Sequence, residues 1–185
     1  SSDLHRATVS GESTHYRSKR TFDVLFSTML LLISMPTLFP VLILLILSDL
    51  KGGPFFLQER NGQHNKIFRC IKFRTMTNEM PAAERKITKV GRWLRLSGLD
   101  ELPQLFNVLK GDMSLIGPRP HMISDNQKFE KMVPFYNRRH LIRPGITGLA
   151  QSIGHKGIIH KRQDILIRVK YDLIYIRRQS LWLDL

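Results

Sequence analysis

The longest apolar stretch of the chain runs from Val24 to Leu47 and contains no charged residue. As a helix, these 24 residues reach roughly 36 Å, enough to cross a hydrocarbon core of about 30 Å. Aqueous cores seldom use so long an uncharged helix, so the run is read as membrane-embedded. Pro36 and Pro40 sit in its middle. Each removes a backbone donor and disfavours the helical conformation of the residue before it. Ser34 and Thr37 are placed to satisfy backbone groups freed there. Each half is then roughly 18 Å long, about half the bilayer depth. Arg17, Lys19 and Arg20 precede the run, and Lys51, Arg60, Lys66, Arg69, Lys72 and Arg74 follow it. The positive-inside tendency draws both flanks to the cytoplasmic face, which a re-entrant helix-break-helix satisfies and a proline-kinked span does not.

Elsewhere the pattern shortens. Residues 1–18 are polar and aperiodic and read as a flexible lead-in, and Lys51-Gly52-Gly53-Pro54 is a breaker cluster. Pro54–Glu59 and Lys66–Phe73 read as two strands of a hairpin around Asn61-Gly62, with Phe68, Cys70, Lys72 and Arg74 on one face. Residues 84–97 interleave basic and apolar positions as an amphipathic helix does, either at a headgroup boundary or facing water. Leu99, Leu102, Leu105, Phe106 and Leu109 repeat with helical period up to Lys110-Gly111. Two stiff loops follow, Gly117-Pro118-Arg119-Pro120 and Arg143–Gly148. Residues 164–176 read as a helix, and Ser180–Leu183 as an apolar segment suited to lie on lipid.

Twenty-nine Lys and Arg against fifteen Asp and Glu leave a net charge of +14. That surface attracts polyanions: nucleic acid, anionic headgroups or phosphorylated substrates. The apolar run argues against a nucleic-acid-binding domain and leaves a membrane enzyme or a non-catalytic membrane scaffold. A single cysteine, Cys70, excludes an internal disulfide framework and a Cys-pair zinc site. His155 and His160 are five apart, off a shared helical face, and read as ordinary histidines rather than metal ligands.

The candidate chemistry centres on Leu99-Asp100-Glu101-Leu102-Pro103-Gln104. Pro103 suits a first helical turn, so a helix beginning near Asp100 puts two carboxylates at its N-terminus. They either cap that helix or, compensated by Mg²⁺ and by Arg95 five residues upstream, handle phosphoryl groups, including through an aspartyl phosphate. Arg119, held between Pro118 and Pro120, is either a structural surface residue or a clamp for phosphate.

Lys72-Phe73-Arg74-Thr75-Met76, Asp100–Gln104, the block from Asn107 to Pro120, Arg143–Gly148 and the ending Ser180–Leu185 occur in this order. Together they resemble the bacterial sugar transferases, the monotopic polyprenyl-phosphate phosphoglycosyl transferases, over about residues 16–185. The block ending in Gly-Pro-Arg-Pro is the most specific segment.

The resemblance implies transfer of a sugar-1-phosphate from a UDP-sugar to undecaprenyl (polyprenyl) phosphate with release of UMP. This is the first membrane step of capsule, exopolysaccharide, O-antigen or glycoprotein glycan assembly. It implies Asp100 as the nucleophile and Glu101, with Asp100, as the holder of Mg²⁺. Arg95 and Arg119 are implied at the phosphates, with Lys72, Arg74, Pro118, Pro120, Arg143 and Asp172 as further substrate-site residues. It also implies the inner-membrane lipid as a partner, the cytoplasmic face as the location of the catalytic domain, no nucleic acid, and room for a homodimer. The stretch 151–170 resembles the larger members, such as undecaprenyl-phosphate glucose or galactose phosphotransferases, so a catalytic domain cut from such a protein is expected. Ser34 is followed by Met35 before Pro36, where small members have a Ser-Pro pair, so a differently shaped bend is expected.

The expected fold is an α-rich α+β unit: a lead-in at 1–18, a re-entrant helical hairpin at 19–50, and a catalytic domain at 51–185 with interfacial amphipathic helices and one small β-hairpin. No doubly wound nucleotide-binding sheet is expected.

Overall fold

The computed structural model describes residues 2–48, 53–78, 84–155, 157, 159 and 161–184. The breaker at Lys51-Gly52 and His160 lie outside the described residues. Helix α1 (Ser2–Ser48) takes in the segment expected as a lead-in and continues with Pro36 and Pro40 inside it. Helix nucleation is the costly step, so a polar stretch can propagate from a helix already formed. No non-helical residue separates the two halves, so any bend is taken up within helical geometry as a proline kink. The carbonyls that lose a donor belong to Leu32 and Pro36, yet the nearby hydroxyls go elsewhere. Ser34 Oγ donates to Leu31 O at 3.0 Å and Thr37 Oγ1 to Ser34 O at 2.8 Å.

Most of the apolar run is bare: Leu32, Ile33, Phe39 and Leu47 are each more than 65% exposed. One face is covered. Leu31, Leu38, Val41 and Leu45 join Phe73, Leu94 and Leu105 in one core cluster. The start of the run is fastened by polar contacts. Lys19 Nζ reaches Asp184 Oδ2 at 2.7 Å. Arg20 donates to the carbonyls of Val108 and Leu109 at 2.6 and 2.8 Å, adding to the Gly111 N–H that already meets Val108 O at this helix end. Asp23 Oδ1 accepts from Ser114 Oγ and the Leu115 N–H, both at 3.0 Å.

Strands β1 (Phe55–Asn61) and β2 (Ile67–Phe73) form the expected antiparallel hairpin, with Phe56 opposite Lys72 and Gln58 opposite Cys70. The period of two places Phe56, Gln58 and Arg60 on the same face as Phe68, Cys70 and Lys72. Helix α2 (Lys89–Ser97) is capped by Thr88, whose side chain accepts from the Gly91 N–H at 2.9 Å. It starts later than the amphipathic pattern suggested, because Ile87 pairs in a bridge with Met76. Helix α3 (Gln104–Lys110) follows and ends at Gly111 in the left-handed conformation.

The sequence reading missed a second pair of strands. β3 (Ser114–Ile116) and β4 (Gly145–Thr147) run parallel, Ser114 opposite Gly145 and Ile116 opposite Thr147. They zip together the two Pro- and Gly-rich loops. A Cβ on Gly145 would lie 2.1 Å from the Gly117 nitrogen, so only glycine permits that approach. Around them pack α4 (Ile123–Met132), a 3₁₀ segment at Tyr136–Leu141, the short α5 (Leu149–Ser152), α6 (Arg162–Arg178) and α7 (Leu181–Asp184). Phe129, Val133, Tyr136, Ile165 and Val169 form a second core there.

Candidate active site

The inner face of the hairpin, the N-terminal side of α3 and the Pro-Arg-Pro loop enclose a cavity of about 480 Å³. It is lined by six cations, Arg60, Lys72, Arg74, Arg85, Arg95 and Arg119, and by two carboxylates, Asp100 and Glu101. Phe56, Phe73 and Met76 supply apolar wall. A concave site with such a surplus of positive charge suits an anionic ligand with an organic body.

The carboxylates sit in a 3₁₀ turn, Leu99–Glu101, between α2 and α3, rather than in the first turn of an α-helix as expected. Gly98, at φ 73°, reverses the chain after α2 and makes the tight turn possible. Neither carboxylate caps α3, which begins after Pro103 without a side-chain cap. Glu101 is committed to cations instead. Its Oε1 accepts from Lys72 Nζ at 2.6 Å and from Arg119 Nη2 at 2.8 Å. Burial works against its charge, but Arg119 and Lys72 outweigh that and hold its pKa at about 2. Asp100 makes no salt bridge among the described residues; burial, assisted by the neighbouring Glu101 charge, raises its pKa against the pull of Lys72 and Arg95. Two adjacent carboxylates thus have opposite electrostatic settings, a mark of divided roles.

The other expected residues divide into those in the cavity and those beneath it. Arg95 is aimed by Thr75, whose Oγ1 accepts from its Nε at 2.8 Å. Arg74 lines the cavity with its donors already engaged, at the carbonyls of Gly53 and Phe55 (2.9 Å each) and at Asn78. Pro118 and Pro120 shape the Arg119 loop without lining the cavity. Arg143 lies away from it, in a smaller recess with Lys19, Arg20 and Asp23. Asp172 is also outside the cavity, buried on α6 with its Oδ2 on Arg139 at 2.7 and 3.0 Å. Its carboxylate is spent on that arginine and faces no open space. Sequence reasoning passed over Phe56, Gln58 and Arg60, although their alternation on one strand face opposite Lys72 was a usable signal. Arg85 offered only a basic helix pattern, and Arg139 offered none.

Mg²⁺ usually takes one or two protein carboxylates and completes its shell with phosphate oxygens and water. Asp100 and Glu101 supply that number, and no group of three or more potential ligands occurs among the described residues. A cation held there would be shared with a substrate's phosphates, and it would meet Glu101 with Oε1 already held by Lys72 and Arg119.

The profile of the bacterial sugar transferase family matches residues 14–185, nearly the whole chain. The chain belongs to this family. It is 41% identical over 175 residues to the UDP-glucose:undecaprenyl-phosphate glucose-1-phosphate transferase of Klebsiella pneumoniae, covering 90% of this chain and 37% of that protein. It is 40% identical over 174 residues to the UDP-N-acetylgalactosamine-undecaprenyl-phosphate N-acetylgalactosaminephosphotransferase of Aeromonas hydrophila, covering 90% of this chain and 40% of the relative. The exopolysaccharide production protein PSS of Rhizobium leguminosarum bv. phaseoli is 37% identical over 179 residues, with 90% of this chain and 89% of that protein aligned. The chain thus spans 40% or less of the first two relatives and most of the third.

Proposed function

We propose that this sugar transferase domain moves a sugar-1-phosphate from a UDP-sugar to undecaprenyl phosphate at a membrane surface, the opening membrane step of a surface-glycan assembly. The observation that carries the mechanism is the asymmetry of the two carboxylates. Glu101 is neutralised by Lys72 and Arg119, while Asp100 has no such partner among the described residues and stands in a cationic cavity. Asp100 Oδ attacks the β-phosphorus, the bond from that phosphorus to the bridging oxygen breaks, and UMP leaves with the electron pair. A phosphate oxygen of the polyprenyl acceptor then attacks the same phosphorus and releases the Asp100 carboxylate. Arg119, Lys72 and Arg95 orient the phosphates and oppose the charge that builds on their oxygens. Mg²⁺ at Asp100 and Glu101, when bound, would neutralise diphosphate charge.

Re-entry of the apolar run is supported by where its two ends attach. Lys19 and Arg20, before it, are bonded to Asp184 and α3, while β1, after it, belongs to the same folded unit. These attachments favour one side of a bilayer for both flanks, and the basic residues favour the cytoplasmic side.

The test is UMP release from a panel of UDP-sugars with Mg²⁺, with and without polyprenyl phosphate. Asp100→Asn should abolish release while leaving the melting temperature unchanged or slightly raised, since burial already disfavours the charge it removes. An active Asp100→Asn protein, or labelled donor that leaves no adduct at residue 100, would overturn the covalent mechanism.

A further inference from the structure

The Pro-Arg-Pro loop is held by its carbonyls. Pro118 and Pro120 have no N–H, so neither can donate a backbone hydrogen bond to hold the loop. Each carbonyl instead takes a donor from a different element. Pro118 O accepts from the Gly145 N–H of β4 at 3.0 Å. Pro120 O accepts from Arg60 Nη1 of β1 at 3.0 Å. Arg119 O accepts from Arg139 Nη2 at 2.8 Å.

Arg139 differs from the other two donors in being an almost fully buried cation, 2% exposed. Its Nε and Nη2 both donate to Asp172 Oδ2, its Nη1 lies 3.0 Å from His121 Nδ1, and the Tyr136 hydroxyl is 3.5 Å from the same nitrogen. A buried ion pair is weak evidence for stability, since apolar side chains of equal volume often do as well. A planar guanidinium locked by a carboxylate, an imidazole and a phenol does something apolar packing cannot: it aims one N–H at a chosen carbonyl. That carbonyl belongs to the residue whose side chain grips Glu101.

We propose that Arg139, held by Asp172, is a positioning residue that fixes the Arg119 backbone and so sets where the Arg119 guanidinium meets the donor's phosphates. This rests on the phosphate role assigned to Arg119 above. Lysine at 139 could pair with Asp172, but its single ammonium cannot also hold His121 and the Arg119 carbonyl in the same geometry.

The test is a double-mutant cycle read by UDP binding rather than turnover, using calorimetric titration of the full chain in detergent with Mg²⁺. Arg119→Ala should weaken UDP binding by about tenfold or more. Arg139→Lys should weaken it severalfold alone, but by less than twofold when Arg119 is already alanine, because it acts through that side chain. Equal losses in both backgrounds, or no loss in either, would overturn the positioning role while leaving the phosphate reading intact. Unchanged binding in Arg119→Ala would sink the phosphate reading and the positioning role with it. If Arg139→Lys does not fold, Asp172→Asn, which keeps the volume and removes the charge that orients Arg139, runs the same cycle under the same criterion.

Discussion

Gly91 lies in α2 one turn before Arg95, and its Cα faces the backbone of Thr75. A Cβ there would stand 2.1 Å from the Thr75 carbonyl oxygen and 2.6 Å from its carbonyl carbon and Cα. Ordinary contact begins near 3.4 Å, so Gly91→Ala requires a shift of 3.4 − 2.1, or 1.3 Å. Both sides of the overlap are backbone, so no rotamer change can absorb it. Alanine gains about 1 kcal/mol of helix propensity over glycine. Overpacking of this kind costs about 1–3 kcal/mol, and a backbone clash falls at the upper end. The net is a destabilisation of about 1–2 kcal/mol, or a melting temperature lower by a few degrees. Function should suffer more. Moving α2 off Thr75 breaks the 2.8 Å bond from Arg95 Nε to Thr75 Oγ1. A misplacement of about 1 Å in a positioning group can cost on the order of a hundredfold in rate. The assay is UMP release from a UDP-sugar beside thermal unfolding in the same detergent. Gly157→Ala, whose Cβ meets no described atom within 4 Å, is the control. If Gly91→Ala turns over within threefold of the parent and melts at the same temperature, the docking of α2 on Thr75 does not place Arg95.

Two further outcomes follow from the charges. Glu101→Gln leaves Lys72 and Arg119 facing a neutral acceptor and should lower unfolding free energy at pH 7 by about 1–3 kcal/mol. The folded pKa of Glu101 is depressed to about 2, so the stability it contributes is present above its ordinary value near 4.5 and is lost as pH falls toward 2. Denaturant melts of parent and variant should therefore converge in acid, and a difference independent of pH would refute the pairing. His140 is shifted in the other sense: burial, then Arg139, lower its pKa to about 4. Between pH 6.5 and 4 the unfolded chain binds more protons, so stability falls as pH drops through that window, by up to about 3 kcal/mol from this residue. Buried His121, beside Arg139 and Arg168, adds in the same direction. His140→Gln should flatten part of that slope, and an unchanged slope would show that His140 does not carry it.

The sequence by itself determined the local elements and the chemistry available. The uncharged run from Val24 to Leu47 became an apolar stretch of α1 with one face covered and the rest bare, and the alternating runs around Asn61-Gly62 became the hairpin, because side-chain periodicity follows directly from backbone geometry. Asp100, Glu101, Lys72, Arg95 and Arg119 were legible as candidate site residues through their motifs, and all five line the cavity. Contacts between distant segments were not legible. Nothing local marks Gly145 as the strand partner of Ser114, Asp184 as the counter-ion of Lys19, or Arg139 as the donor to Arg119. The roles of the carboxylates were likewise undecided in one dimension, since capping and phosphate chemistry use the same residue types at the same spacing. The tertiary structure shows that neither caps α3, and it distinguishes the two by bringing Lys72 and Arg119 from 29 and 18 residues away onto Glu101, with Asp100 in no salt bridge among the described residues. Periodicity is a property of one segment, whereas a charge's partner and its burial depend on every segment that packs around it.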